Sequence, residues 1–153
     1  MPIALEQLDL REYDLVISSE SGPAKGIITR PDSLHICYCH SPMRYVWDMY
    51  PDYLRATGRL TRVIMRPLIH YLKMWDRLSA DRVDYFISNS NFVSKRISKF
   101  YRRDSVVINP PVDISEFEYF EDKEDFYLVL GQLTPYKRAD LVVDAFLKNG
   151  KNL

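Results

Sequence analysis

What most constrains this chain is an alternation. Four short apolar runs, Asp14-Leu-Val-Ile-Ser-Ser-Glu20, Leu34-His-Ile-Cys-Tyr-Cys-His40, Val83-Asp-Tyr-Phe-Ile-Ser88 and Ser105-Val-Val-Ile-Asn109, are each closed by small polar residues, a histidine or a proline pair. The longest stretches between them carry helical spacing. Parallel strands cannot be joined by tight hairpins and need crossovers, so this order predicts an α/β fold: a parallel, doubly wound sheet with flanking helices.

The helical segments can be placed by their apolar positions. Residues Leu60 to Leu78 give the longest pattern, with Leu60, Ile64, Leu68, Tyr71, Leu72, Trp75 and Leu78 as its apolar set. Arg59, Arg62, Arg66, His70, Lys73 and Arg77 recur on another face, and Pro67 is expected to start or kink the helix. After Asn89 or Ser90 as N-cap, Val93, Ile97, Phe100 and Tyr101 form one stripe. Further on, Tyr127 to Leu130 reads as a buried strand, Gly131 to Arg138 as a turn, and Ala139 to Asn149 as a helix with Leu141, Val142, Ala145 and Phe146 on one face.

Residues 110–125 shift to proline, acidic and aromatic residues and read as an interdomain connection. The expected organisation is therefore residues 1–109, the linker 110–125, and 126–153 as the start of a second domain. A lone strand and helix cannot bury their faces, which suggests an internal piece of a longer protein. Within 153 residues, 21 Lys+Arg balance 21 Asp+Glu, so no global basic field argues for nucleic acid as partner. No apolar run is long enough to span a bilayer and no signal pattern opens the chain, which sets the expected location as cytoplasmic. Cys37 and Cys39, two apart in a strand, share one face and read as reduced core residues; no metal-ligand cluster is seen.

The residues that could carry chemistry fall at the ends of the runs. Lys137 and Arg138 stand where a helix begins, an end already carrying partial positive charge, and an anion would relieve them. They read as a phosphate or diphosphate site or as solvated surface cations. His40 closes the second run, where ligands of parallel sheets bind, and reads as a ligand contact or a structural histidine. Ser88, Asn89 and Ser90 close the third, with capping as their main role and cleft lining as the alternative. Arg44, Tyr45, Trp47 and Asp48 read as an aromatic core segment or as the wall of an acceptor site. The basic stripe of residues 59–77 suits peripheral docking on an anionic membrane. Since an apolar face can pack only once, that face is assigned to the core, leaving any docking to the cations alone.

Several of these segments, in order, resemble one branch of the family 4 retaining glycosyltransferases, nucleotide-sugar enzymes of the GT-B fold with two Rossmann-like domains. They are Tyr13-Asp-Leu-Val-Ile-Ser-Ser19 with Ala24-Lys-Gly26, His35-Ile-Cys-Tyr-Cys-His-Ser-Pro-Met-Arg-Tyr-Val-Trp-Asp48, Asp84-Tyr-Phe-Ile-Ser-Asn-Ser-Asn-Phe-Val93, Val107-Ile-Asn-Pro-Pro-Val-Asp113 and Gly131-Gln-Leu-Thr-Pro-Tyr-Lys137. The resemblance implies the latter part of an N-terminal, acceptor-side domain, a linker, and the opening of a donor-binding domain. It implies transfer of a hexose, mannose in this branch, from a nucleotide diphosphate sugar to a glycan or lipid-linked acceptor with retention. The nucleotide sugar is then a substrate, and no cofactor is called for.

In that reading His40 is catalytic, contacting the donor sugar, while Gly131, Gln132, Lys137 and Arg138 hold the donor diphosphate. The family's arginine in that turn is Gln132 here. The family's paired glutamates would lie beyond Leu153, so the chain alone is expected to be inactive. A nicotinamide enzyme is disfavoured because no Gly-x-Gly-x-x-Gly follows a strand. A non-catalytic Rossmann-like fragment or interaction module stays as the alternative.

Overall fold

The computed structural model describes residues 2–55, 57–119, 121–134 and 137–153. They fall into two compact units, Met1–Pro111 and Val112–Leu153.

In the first unit, helix α1 (Pro2–Glu6) precedes strand β1 (Leu15–Glu20) and a 3-10 turn at Ala24–Gly26. Strand β2 (Leu34–Cys39) leads into α2 (Arg44–Trp47), α3 (Tyr50–Arg55) and the long α4 (Arg59–Ser79). A second 3-10 turn, Ala80–Arg82, then delivers β3 (Tyr85–Ser88), α5 (Asn91–Tyr101) and β4 (Ser105–Val107). All neighbouring strands are parallel, in the order β1-β2-β3-β4. The α/β class and Rossmann-like parallel sheet are as the alternation requires.

The winding differs from the doubly wound expectation. Successive strands step across the sheet in one direction, and crossovers of one hand then all lie on the same face. Burial follows suit. Ser18, Glu20, His35, Cys37, Cys39, Phe86 and Ser88 are buried, whereas Leu15, Ile17, Leu34, Tyr85 and Val106, of the other parity, are exposed. The covered face forms a core of Cys37, Cys39, Ala80, Val83, Phe86, Val93, Ile97 and Tyr101. Cys37 and Cys39 are both buried and unbridged there. Hydrogen bonding in which the Cys39 thiol donates to Cys37, followed by burial, pushes that thiol far above its ordinary range.

Helix α4 forms over nearly the expected residues and runs through Pro67 without interruption, with Gly58 as its N-cap. Its faces, however, are not used as expected. Its buried side chains are Ile69, Trp75, Asp76 and Ser79, with Leu72 partly buried. Leu60, Ile64, Leu68, Tyr71 and Leu78, assigned to the core from the sequence, are exposed. The helix has three faces, apolar-exposed, basic and core, and a two-face reading cannot tell which apolar stripe packs.

In the second unit, α6 (Ala139–Asn149) ends on Gly150, whose φ of 68° is the left-handed cap that glycine suits. Val142 and Phe146 are half-buried, while Leu141 and Ala145 are exposed. The strand expected at 127–130 does not form: among the described residues these positions join no ladder. Instead the Tyr127 N–H donates to the Asn152 carbonyl at 3.0 Å and the Tyr127 ring meets Phe146 edge-on at 5.1 Å. A parallel strand exists only through its neighbours, and among the described residues of this unit there is no second strand to pair with. The proline-rich connection holds a 3-10 turn, Ile114–Glu116, capped by Asp113, whose carboxylate accepts from the Ser115 N–H at 3.0 Å.

Close approach fixes Gly26. A Cβ there would lie 2.2 and 2.4 Å from ring atoms of Trp75, whose Nε1–H is tied to the Glu6 carboxylate at 3.0 Å. We expect Gly26→Ala to destabilise the first unit by ~1–3 kcal/mol through overpacking, read as a lowered urea midpoint; an unchanged midpoint would show that Trp75 yields freely.

Candidate functional site

The carboxyl ends of the four strands gather a polar cluster. Ser19 is the penultimate residue of β1, His40 follows β2, Asn89 follows β3, and Asn109 lies just beyond β4. The His40 N–H donates to the Glu20 carbonyl at 2.7 Å, continuing the ladder by one residue. His40 Nε2 lies 2.9 Å from Ser19 Oγ, and its ring meets Tyr38 edge-on at 5.2 Å. By parity the ring belongs to the uncovered face, with Ile36 and Tyr38. Nδ1 bonds to none of the described residues, and the side chain is exposed.

Asn89 is the clamp beside it. Its Nδ2 donates to the His40 carbonyl at 3.2 Å, its own carbonyl accepts from Asn109 Nδ2 at 2.9 Å, and its Oδ1 accepts the Ser90 hydroxyl at 3.0 Å. Ser90 caps α5, its Oγ accepting from the Val93 N–H at 3.3 Å. Ser88 is corrected as a cleft-lining residue: it is fully buried, its hydroxyl donating to the Val106 carbonyl at 3.4 Å. Its place on the covered face follows from the same parity as Phe86. Ser19 and Asn109 escaped the sequence reading, and the available signal was that each ends or follows a strand neighbouring one already singled out.

Of the aromatic segment, Arg44 and Tyr45 are exposed, and the Tyr45 hydroxyl donates to Met43 Sδ at 3.2 Å. Trp47 turns inward, stacking on Phe100 at 4.8 Å and donating Nε1–H to Asp76 at 2.7 Å. Asp48 pairs with Arg96 at 2.5 Å. The core role thus takes Trp47, and the surface is left with Arg44 and Tyr45.

Under the same strand ends lies a network with no counterpart in the sequence reading. Lys25 is fully buried, its ammonium in direct contact with Asp76 and 3.4 Å from Glu20. Asp76 also accepts the Tyr101 hydroxyl at 2.9 Å, and the Lys25 N–H donates to the Glu20 carboxylate at 3.0 Å. The ammonium stands 5.0 Å from the Tyr101 ring centroid. Burial would lower the Lys25 pKa, but Asp76 and Glu20 outweigh it and hold the ammonium above its ordinary range. Burial in turn raises Glu20, only partly offset by Lys25, and raises Tyr101 together with Asp76.

In the second unit, Gly131, Gln132, Lys137 and Arg138 are exposed. The Lys137 N–H donates to the Thr134 carbonyl at 3.0 Å, and its Nζ would be 3.7 Å from a Cβ on Gly131, so that pair is brought together. Pro135 and Tyr136 of the same turn lie outside the described residues. Arg138, in the left-handed region at φ 52°, caps α6 and is bound by Asp140 through contacts of 2.9–3.1 Å. The anion expected to relieve the helix start is thus already supplied by a carboxylate in its first turn. Lys137 makes no ion pair with any described residue.

Two depressions of the first unit lie elsewhere, around Arg11, Ile28, Arg30, Ser33 and Asp84, near the amino-terminal ends of β2 and β3. Parallel sheets place ligands at the opposite edge, so the His40 cluster remains the candidate. Among the described residues no acid, histidine and cysteine group could hold a metal ion. No family model, curated protein or solved structure shows a significant match to the chain.

Two measurements probe this region. Removing one partner of a buried ion pair strands the other charge, so Asp76→Ala is expected to destabilise by ~3–5 kcal/mol in denaturant unfolding; a loss within experimental error would mean that Lys25 is reached by water. His35, fully buried, accepts from the Ser18 hydroxyl at Nε2 (2.9 Å) and faces the Arg82 carbonyl through Nδ1 (3.4 Å), a neutral tautomer. Burial lowers its pKa, so below about 6.5 the unfolded chain binds the extra proton and stability falls as pH drops. The pH slope of the unfolding midpoint between pH ~7.5 and ~5.5 is expected to flatten in His35→Gln.

Proposed function

We propose that the intact protein is a retaining glycosyltransferase moving a hexose from a nucleotide diphosphate sugar to a glycan or lipid-linked acceptor. The observation that carries this reading is His40, an exposed imidazole at the carboxyl end of a central parallel strand, oriented by Ser19 and with Nδ1 left for a ligand. The ordered resemblance of five segments to the family 4 enzymes supports the same assignment.

In this reading the departing diphosphate needs cations and the sugar needs oriented hydrogen bonds. Lys137 supplies the cation. Arg138, neutralised by Asp140, contributes less, and Gln132 offers an amide in place of a charge. His40 Nδ1 serves the sugar, with the Asn89 clamp fixing the backbone from which it projects. Arg44 and Tyr45 stand on the acceptor side.

A second reading, a non-catalytic interaction module, is favoured by the uncovered apolar face of the sheet. Transfer assays on the intact protein with a panel of nucleotide sugars separate the two. Lys137→Ala and His40→Ala are each expected to lower kcat about 10²-fold or more, without loss of fold. A folded protein that neither binds nor turns over any nucleotide sugar transfers the lead to the interaction module.

A further inference from the structure

We propose that the outward face of α4 is a docking surface for an anionic lipid bilayer. Along this helix Leu60, Ile64, Leu68, Tyr71, Met74 and Leu78 recur at three- and four-residue intervals and are all exposed, Leu60 at 77%. Arg59, Arg66 and His70 lie along one flank of that stripe and are exposed too. Arg59 and Arg66 bond to no described residue, whereas Lys73 lies over the Trp47 and Tyr50 rings and Arg62 donates to the Leu54 and Thr57 carbonyls. The single acid of Arg59–Ser79, Asp76, is buried against Lys25. What α4 shows to solvent is therefore apolar and cationic, with no carboxylate, although the whole chain has a net charge of zero.

That combination selects its occupant. At ~1.5 Å per residue the helix is ~30 Å long, and it is not apolar enough to cross a membrane. A helix with an apolar stripe bordered by arginines instead lies in the plane of a bilayer, side chains among the acyl chains and cations at the headgroups. A second copy fits less well. A two-fold contact between α4 faces would oppose Arg59 and Arg66 to like charges, with no exposed acid on either helix to offset them.

The test requires no nucleotide sugar, so its failure is separate from failure of the transferase reading. The chain is floated with vesicles of phosphatidylcholine containing roughly one-third phosphatidylglycerol, and with phosphatidylcholine alone. Preferential, salt-sensitive binding to the anionic vesicles is expected. Arg59→Gln with Arg66→Gln should weaken partitioning about 25-fold, about fivefold for each cation, and Leu60→Ser/Ile64→Ser/Leu68→Ser should abolish it. Both variants change exposed residues and should retain the parent's thermal midpoint, which is measured alongside. Absence of binding, binding that either folded variant retains in full, or no preference for anionic lipid overturns the proposal. A concentration-dependent dimer, dissolved by the leucine-isoleucine variant and seen without vesicle binding, assigns the face to a second copy.

Discussion

The arrangement depends on a lysine that has been taken out of water. An ammonium with no exposure is tolerated only where carboxylates and hydrogen bonds replace its hydration, and Lys25 has Asp76 in contact and Glu20 at 3.4 Å. The partners come from separate parts of the chain. Glu20 ends β1, Lys25 sits in the following turn, Asp76 is near the end of α4, and Tyr101 and Trp47 bring in α5 and α2 through the same carboxylate. Each helix is thereby fixed against the strand end it covers. Asp76 accepts bonds that hydrophobic packing alone would leave indifferent to register.

The one-directional winding determines which surface is left to act. With the crossovers on one face, the side chains of Ser18, Glu20, His35 and Ser88 have to find partners inside, and each does. The other face keeps Leu15, Ile17, Tyr85 and Val106 in solvent. At its carboxyl edge the same parity puts Ser19, Tyr38 and His40 side by side. The candidate site is where the ladder ends on the uncovered side.

Strand positions and the long helix were legible because period two and period 3.6 are imposed by backbone geometry and appear in any sequence that obeys them. Ser90 as a cap was legible for the same local reason. The use of each face was not. Leu60, Ile64 and Leu68 on α4 have the spacing of a core stripe, yet the core takes Ile69, Leu72 and Trp75, because packing is decided by which way neighbouring elements turn the helix. The Lys25 network was hidden by separation: Lys25 and Asp76 are 51 residues apart, and nothing local to either predicts that they meet. The expected strand at 127–130 failed for a related reason, since a strand is a property of a pair and Tyr127 to Leu130 specify only half of one. Net charge was also a poor guide, because neutrality of the whole chain coexists with a helix whose exposed charge is all positive.

Ser19 and Glu20 connect the buried network to the candidate site. Adjacent residues of a strand point to opposite faces, so Glu20 reaches inward to the Lys25 ammonium and backbone while Ser19 reaches outward to His40. The Glu20 carbonyl also accepts the His40 N–H. The last two residues of β1 are therefore held from inside by a charge that cannot relax into water, and from the edge by the histidine they position. A rigid Ser19 restricts the imidazole rotation that an exposed side chain would otherwise have, at no cost in chemistry on the outer face. Orientation of His40 is in this sense a consequence of burying Lys25, even though the two side chains lie on opposite sides of the sheet.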